Sequence, residues 1–146
     1  MDIFLASMTH LESLSILFDR YRVFYEQPSD VEAAQQFLKE RFTNNDSVLF
    51  IASDRDEMVG FTQLYPSFSS VSMKRVWILN DLYVKVSHRR KGIATSLIRT
   101  VEQYARDSNA VRVVLATQIS NVSAKKLYEA RGYIHDKAFD YYTLSL

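Results

Sequence analysis

The sequence predicts one α/β domain in which a mixed, largely antiparallel sheet is flanked by about four helices. The length of 146 residues suits a single domain. Hydrophobic residues make up 47% of the chain and charged residues 24%, as is usual for a globular protein. Apolar residues at helical spacing alternate along the chain with short strand-like runs, in the order β-α-α-β-β-β-α-β-α-β-β.

Four helices are predicted from apolar periodicity and from the signals that begin and end helices. Thr9-x-x-Glu12 and Ser29-x-x-Glu32 have the pattern of a capping box. Pro28 ends the first helix, and Gly132 follows the last one at the position that favours glycine. The helical segments are residues 11–25, 31–42, 93–105 and 121–131.

The strands are predicted from runs of β-branched and aromatic residues bounded by turn signals. The longest run alternates so that Asp81 and Tyr83 share one face and Asn80 and Leu82 share the other. Residues 66–70 are expected to form a loop. The predicted strands are residues 2–6, 47–53, 58–65, 76–86, 112–116, 133–134 and 141–146.

Composition excludes several classes of chemistry. The chain has no cysteine, which rules out disulfides, zinc–thiolate sites, iron–sulfur clusters and a cysteine nucleophile. The three histidines, His10, His88 and His135, lack the spacing of metal ligands, so no metal is expected. No signal peptide or membrane-spanning run is visible, which favours a cytoplasmic protein without a membrane partner.

The charge is unevenly distributed although the net charge is only +1. That small net charge argues against a nucleic-acid partner. Residues 1–73 hold 5 basic and 11 acidic residues, and residues 74–146 hold 13 basic and 6 acidic ones. One half could therefore meet a cation and the other an anion, while ordinary solvated helix faces would give the same asymmetry.

The turn Arg89-Arg90-Lys91-Gly92 joins a strand to a helix and suits a phosphate group. A helix N-terminus offers unpaired amides and partial positive charge, and glycine lets a ligand approach the backbone. With only Gly60, Gly92 and Gly132 in the chain, neither a Walker A loop nor a dinucleotide-binding GxGxxG motif is possible. A basic helix cap without a ligand is the simpler alternative.

Two motifs together resemble the GCN5-related N-acetyltransferases (GNAT). Residues 89–94 match the family pattern [Q/R]-x-x-G-x-[G/A] between a strand and a helix. A later strand is followed by Asn121, a small residue, a Leu-Tyr pair ending at Tyr128, and Gly132-Tyr133, which is the family's second element. The order of helices and strands agrees along the whole chain.

This resemblance implies acetyl-CoA as the acetyl donor, splayed central strands and, commonly in the family, a homodimer. Pantetheine would lie along Leu82, Tyr83 and Val84, and Asn121 would contact it. The Tyr128 hydroxyl would face the CoA sulfur and assist the leaving thiolate. On the residues alone, Asn121 could instead be a helix cap and Tyr128 a core aromatic. The resemblance implies a pyrophosphate site at Arg89, Arg90, Lys91, Gly92, Ile93, Ala94 and Thr95.

The acceptor side is predicted from the long strand and the end of the first helix. Asn80-Asp81 stands where diamine acetyltransferases of the family carry Glu-Asp, so Asp81 is the candidate base and Asn80 departs from the pattern. Deprotonation could also run through water or a backbone carbonyl. Phe24, Tyr25, Glu26 and the 66–70 segment are candidate walls, although Glu26 could simply be solvated beside Pro28.

The leading hypothesis is an acetyl-CoA-dependent N-acetyltransferase that acts by direct attack of a small-molecule primary amine, such as a polyamine, amino acid or amino sugar. A variant of it acetylates protein N-termini or lysines. The alternative from another class is a non-catalytic acyl-CoA-binding module.

Overall fold

The structure is a computed structural model that describes residues 1–146, and its chain divides into two compact units, Met1–Ala116 and Thr117–Leu146. The first unit holds all the strands and three of the four α-helices. Its elements are β1 (Asp2–Leu5), α1 (Leu11–Phe24), α2 (Val31–Asn44), β2 (Val48–Asp54), β3 (Glu57–Ser69), β4 (Lys74–Val84), α3 (Ile93–Asp107) and β5 (Arg112–Leu115). The second unit holds α4 (Val122–Ala130). None of the helices is both long and apolar enough to cross a membrane.

The five strands form one sheet in the order β1-β2-β3-β4-β5. The first three pairings are antiparallel, and only β4 and β5 run parallel. The predicted mixed and largely antiparallel sheet is therefore confirmed. The parallel pairing follows from connectivity, because α3 carries the chain from the end of β4 back to the start of β5.

A β-bulge interrupts β4 at Asn80. Gln63 pairs with Asp81 and Leu64 pairs with Leu79, so Asn80 has no opposite residue on β3. The alternation of faces restarts at this point. Asp81 and Tyr83 share one face as predicted, but the predicted alternation does not continue through Asn80, because the extra residue places Leu79 and Leu82 on the same face.

The two faces of the sheet pack against different helices. One face meets α1 and α2 in a core built around fully buried Leu14, Leu38 and Phe61, which also includes Tyr83. The other face meets α3, where Tyr104 lies against Phe50 and Trp77 and the Trp77 indole N–H donates to Ser108 Oγ at 2.8 Å. Burial of each large apolar side chain contributes roughly 1.5–3 kcal/mol, so both layers hold β4 firmly.

The helix starts differ in detail from the predicted capping boxes. A short 3₁₀ turn, Met8–His10, precedes α1. The residue that caps this 3₁₀ turn is Ser7, not Thr9, and its amide donates to the His10 ring. The N-cap of α2 is Asp30, whose carboxylate accepts from the Ala33 amide at 3.0 Å. Ser29 instead donates to the buried Asp19 at 2.6 Å, and thus ties the α1–α2 loop to α1.

Three predicted segments are corrected. Residues 66–69 are not a loop but the end of β3, which tolerates Pro66 because β2 begins at the pair Val48–Leu64 and leaves β3 unpartnered on that side beyond it. Residues 133–134 form no strand, because the Tyr133 amide caps α4 by donating to the Tyr128 carbonyl. Residues 141–146 also form no strand. Their apolar and polar residues alternate as in a strand, but the second unit contains no strand with which they could pair.

Candidate active site

The turn between β4 and α3 has the backbone geometry that an anion site requires. It passes through a 3₁₀ turn, Val86–His88, and reaches α3 at Gly92, which is the N-cap. Gly92 has φ +78°, and a Cβ placed there would meet no atom of the chain within 4 Å. The first intrahelical acceptor, the Gly92 carbonyl, is taken by Ser96 N–H, so the amides just before Ser96 point out of the helix end.

The three basic residues of the turn have different surroundings. Arg90 and Lys91 are exposed, and Arg90 adopts φ +62°. Arg89 turns back along the chain, where its Nε donates to the Val84 carbonyl at 2.9 Å. Its guanidinium lies 5.0 Å from the centre of the Phe24 ring and 5.8 Å from that of Tyr83. Arg89 therefore joins the turn to the end of α1, a contact that the sequence motif does not predict.

The splayed strands expected from the family resemblance are present beside this turn. β5 pairs with β4 only over Val76–Leu79, and its last paired residue is Leu115. β4 then continues for five residues, from Asn80 to Val84, with no partner on that side. Backbone groups along Leu82, Tyr83 and Val84 can therefore hydrogen-bond to an extended ligand as a further strand would.

The open backbone at Gly92, the free first-turn amides of α3 and the exposed positive charge of Arg90 and Lys91 fit the pyrophosphate of CoA. The unpartnered stretch of β4 fits an extended pantetheine arm. These residues would bind and orient the acetyl donor, which supplies the activated acetyl group.

Asp81 lies buried at the point where β4 parts from β5. Its Oδ1 accepts from the Tyr21 hydroxyl at 2.8 Å and from Asn80 Nδ2 at 3.1 Å, while Oδ2 is covered and has no hydrogen-bond partner. Burial raises the pKa of Asp81 above its usual value, although both hydrogen bonds act to lower it. Burial and the nearby Asp81 carboxyl also raise the pKa of Tyr65 to about 12.

The end of α1 supplies an aromatic and acidic surface. Phe24 and Tyr25 are exposed, and their rings contact each other and those of Tyr83 and Tyr21 respectively. Glu26 is exposed and adopts φ +63°, the left-handed position of a Schellman cap in which its amide and that of Gln27 close the helix. Glycine is usual there, so glutamate costs about 1 kcal/mol of backbone strain.

The second unit positions Asn121 and Tyr128. Asn121 is the N-cap of α4, and its side-chain oxygen accepts from the Ala124 amide at 3.2 Å. Asn121 is therefore a helix cap, as the alternative prediction for this residue states. Tyr128 is half-buried, with its ring centre 5.9 Å from that of Tyr133. Gly132, at φ +91°, ends the helix as predicted. The roles expected for Asn121 and Tyr128 toward CoA stay predictions.

The structure thus brings together Asn80, Asp81, Phe24 and Tyr25, and adds Tyr21 to them. Tyr21 is absent from the predicted site because its helical spacing indicates only a core residue. Its partner Asp81 lies 60 residues away in the chain, so no local signal could have indicated the contact.

Comparisons with known proteins identify the family of this chain. The profile of the family described as "Acetyltransferase (GNAT) family" matches residues 11–133. The chain is 44% identical over its full length to an uncharacterized N-acetyltransferase, YhfO, of Bacillus subtilis strain 168, and covers 98% of that protein. A crystal structure of a probable acetyltransferase superimposes with a TM-score of 0.95 at 43% identity, covering 100% of this chain and 98% of that one.

A third comparison extends the likeness of fold. The structure of an aminoglycoside N-acetyltransferase in complex with CoA superimposes with a TM-score of 0.79 at 22% identity, covering 99% of this chain and 95% of that one. The protein is an acetyl-CoA-dependent acyltransferase. The chain belongs to the GNAT family of acetyltransferases.

Proposed function

We propose that this enzyme transfers the acetyl group of acetyl-CoA to the primary amine of a small molecule. The observation that carries the proposal is the acidic, aromatic surface beside the bulge in β4, with buried Asp81, exposed Asn80 and the exposed rings of Phe24 and Tyr25. A carboxylate favours a neighbouring ammonium group, and aromatic faces attract cations. Exposed Glu26 adds a second negative charge at this end of α1.

The proposed reaction is a direct attack. The acceptor first loses a proton, because a free alkyl ammonium has a pKa near ~10.4. Its nitrogen then forms a bond to the carbonyl carbon, and the carbon–sulfur bond breaks. An acyl-enzyme on cysteine is impossible, since the chain contains none. The unpartnered backbone of β4 next to the bulge supports the developing oxyanion through its amide groups.

We assign the leaving-group step to Tyr128. A phenol that donates a proton or a hydrogen bond to the departing thiolate makes it a better leaving group. The family resemblance of the Leu-Tyr and Gly-Tyr pairs around Tyr128 supports this role, as does the fixed end of α4 at Gly132.

The proton of the acceptor ammonium leaves to water, from which the Asp81 carboxylate can take it without touching the acceptor. Two features support a role for Asp81: it is the acid nearest the bulge, and burial raises its pKa and so makes it a stronger base than an exposed aspartate. Asn80 cannot take up a proton, so the side chain that departs from the diamine acetyltransferase pattern is not the base.

The test is release of CoA thiol from acetyl-CoA in the presence of a panel of diamines, amino sugars, amino acids and peptides, with mass spectrometry of the acetylated product. We expect thiol release that depends on a small primary amine and matches the product formed. Turnover confined to peptides would replace the proposal with a protein acetyltransferase. Acetyl-CoA binding without turnover of any amine would indicate the binding module.

Two further expectations accompany this proposal, a homodimer and a cytoplasmic location. The first is supported only by what is common in the family, and light scattering of the purified protein tests it.

A further inference from the structure

We infer that Asn80 is the side chain that contacts the acceptor amine, and that Asp81 and Tyr21 are positioning residues that act through it. This inference rests on the proposed function. It assigns the contact with the amine to the exposed Asn80 amide, and it gives the buried Asp81 carboxylate the role of orienting that amide.

Asn80 occupies an unusual position on β4. It is the bulged residue, with no opposite residue on β3, and it directly follows the last residue of β4 that pairs with β5. Its side chain is exposed, whereas Leu79 and Asp81 on either side of it are buried. A ligand that reaches the parting of the two strands therefore meets Asn80 first.

The orientation of the Asn80 amide is set by its neighbour. Asn80 Nδ2 lies 3.1 Å from Asp81 Oδ1. A carboxylate can only accept hydrogen bonds, so the NH₂ group of Asn80 must face Asp81 and its carbonyl oxygen must face away. That oxygen is therefore left as an acceptor on an exposed residue, which suits the N–H groups of an amine.

Asp81 is poorly placed to touch the acceptor itself. The whole residue is 6% exposed, its Oδ2 is covered, and its Oδ1 already accepts two hydrogen bonds. One of those donors is the Tyr21 hydroxyl at 2.8 Å, which fixes the carboxylate from the α1 side. Tyr21 is itself held by rings of Phe18, Phe61 and Tyr83.

Two phenols interact with this carboxyl, Tyr21 from α1 and Tyr65 from β3. Tyr25 of α1 acts on Tyr21, and the charges of Arg41 and Asp46 act on Tyr65. Burial raises the pKa of Asp81, and the hydrogen bonds from Tyr21 and Asn80 lower it. Loss of the Tyr21 hydroxyl therefore moves the pKa of Asp81 further upward. Protonation of Asp81 would release the Asn80 amide from its fixed orientation.

A double-mutant cycle on acceptor kinetics tests the inference, with the amine identified by the panel above. We expect Asn80→Ala to raise the acceptor KM roughly tenfold or more, as for loss of a hydrogen bond to a charged group. Asp81→Asn should raise it by a smaller factor, since an amide at position 81 lets Asn80 adopt either orientation. The double variant should match the KM of Asn80→Ala within about twofold, because Asp81 affects acceptor binding only through Asn80. Effects that multiply would overturn the inference and give Asp81 a contact of its own.

Tyr21→Phe supplies a second readout and keeps the ring packing. We expect the acidic limb of the pH profile of kcat/KM for the acceptor to move to higher pH in this variant. In a double variant that also carries Asn80→Ala, we expect no such shift. An unmoved limb in a folded variant that binds acetyl-CoA normally would show that Tyr21 is not a positioning residue for Asp81 and Asn80. Failure of the proposed function looks different, because the unmodified enzyme would then turn over no small amine.

Discussion

The donor and acceptor regions lie at opposite ends of the same stretch of β4, and they are built in different ways. The proposed donor turn is one contiguous segment, residues 89–95, and offers mainly backbone amides around Gly92. The proposed acceptor region combines Tyr21, Phe24 and Tyr25 of α1 with Asn80 and Asp81 of β4, and offers mainly side chains.

This difference explains why the proposed donor site leaves a short sequence motif and the proposed acceptor site does not. A backbone site constrains only the few positions where geometry demands glycine or a small residue, which leaves a short motif. A side-chain site can change its chemistry with single substitutions, such as an asparagine at position 80, without disturbing the sheet. We therefore expect changes to the donor region to affect acetyl-CoA and those to the acceptor region to affect the amine.

The largest expected effect is on the chemistry of the donor. Tyr128→Phe keeps the ring and removes the hydroxyl proposed to assist the thiolate. Turnover should fall roughly 10²–10⁴-fold, the range of general acid catalysis, while the affinity for acetyl-CoA stays the same. Steady-state kinetics and calorimetry measure the two quantities. A turnover number equal to that of the unmodified enzyme would assign Tyr128 to packing alone.

The second effect is on donor binding. Gly92→Val adds branched carbon to a turn residue at φ +78°, in space that no other atom of the chain fills. We expect a loss of acetyl-CoA affinity of roughly 10- to 100-fold, equivalent to one charged hydrogen bond or more. Gly92→Ala is the matched control, because it imposes a similar backbone strain with less bulk.

Calorimetry with acetyl-CoA measures both Gly92 variants, and thermal unfolding confirms that each is folded. Equal affinities for the valine variant and the unmodified protein would remove this turn from the donor site.

The third effect concerns stability and pH at the acceptor side. Because burial raises the pKa of Asp81 above its ordinary 3.8, the folded chain binds this proton more tightly than the unfolded chain does. The associated stability is present below the ordinary pKa and is lost as pH rises through the raised one. Asp81→Asn lacks this titration. Its free energy of unfolding, measured by urea denaturation, should therefore increase relative to that of the unmodified protein as pH rises through that window. A difference that is constant with pH would contradict the raised pKa.

The smallest effects are at Glu26. Glu26→Gln keeps the strained backbone and removes only the charge, so we expect a two- to threefold rise in acceptor KM, typical of an exposed charge pair. Glu26→Gly should instead stabilise the fold by about 1 kcal/mol, because glycine adopts the left-handed cap without strain. Acceptor kinetics and urea denaturation measure these changes. A Gln variant with unchanged KM would place Glu26 outside the acceptor region.

The helices, the five sheet strands and the glycine turn between β4 and α3 could be predicted because each depends on local patterns. Pro66 misled the prediction of β3, since proline breaks a central strand but not one that has become an edge. The bulge at Asn80 carries no glycine and depends on pairing with β3, so alternation alone could not reveal it. The pairing of Tyr21 with Asp81 depends on how α1 packs on the sheet, which no local pattern encodes.

The most direct test of the separation between the two regions is a set of initial rates with both substrates varied, for the unmodified enzyme, Gly92→Val and Asp81→Asn. The structure predicts that Gly92→Val raises the KM for acetyl-CoA and leaves that for the amine unchanged, whereas Asp81→Asn does the reverse. If either variant changes both Michaelis constants by the same factor, the two regions do not act separately, which contradicts their proposed division between donor and acceptor.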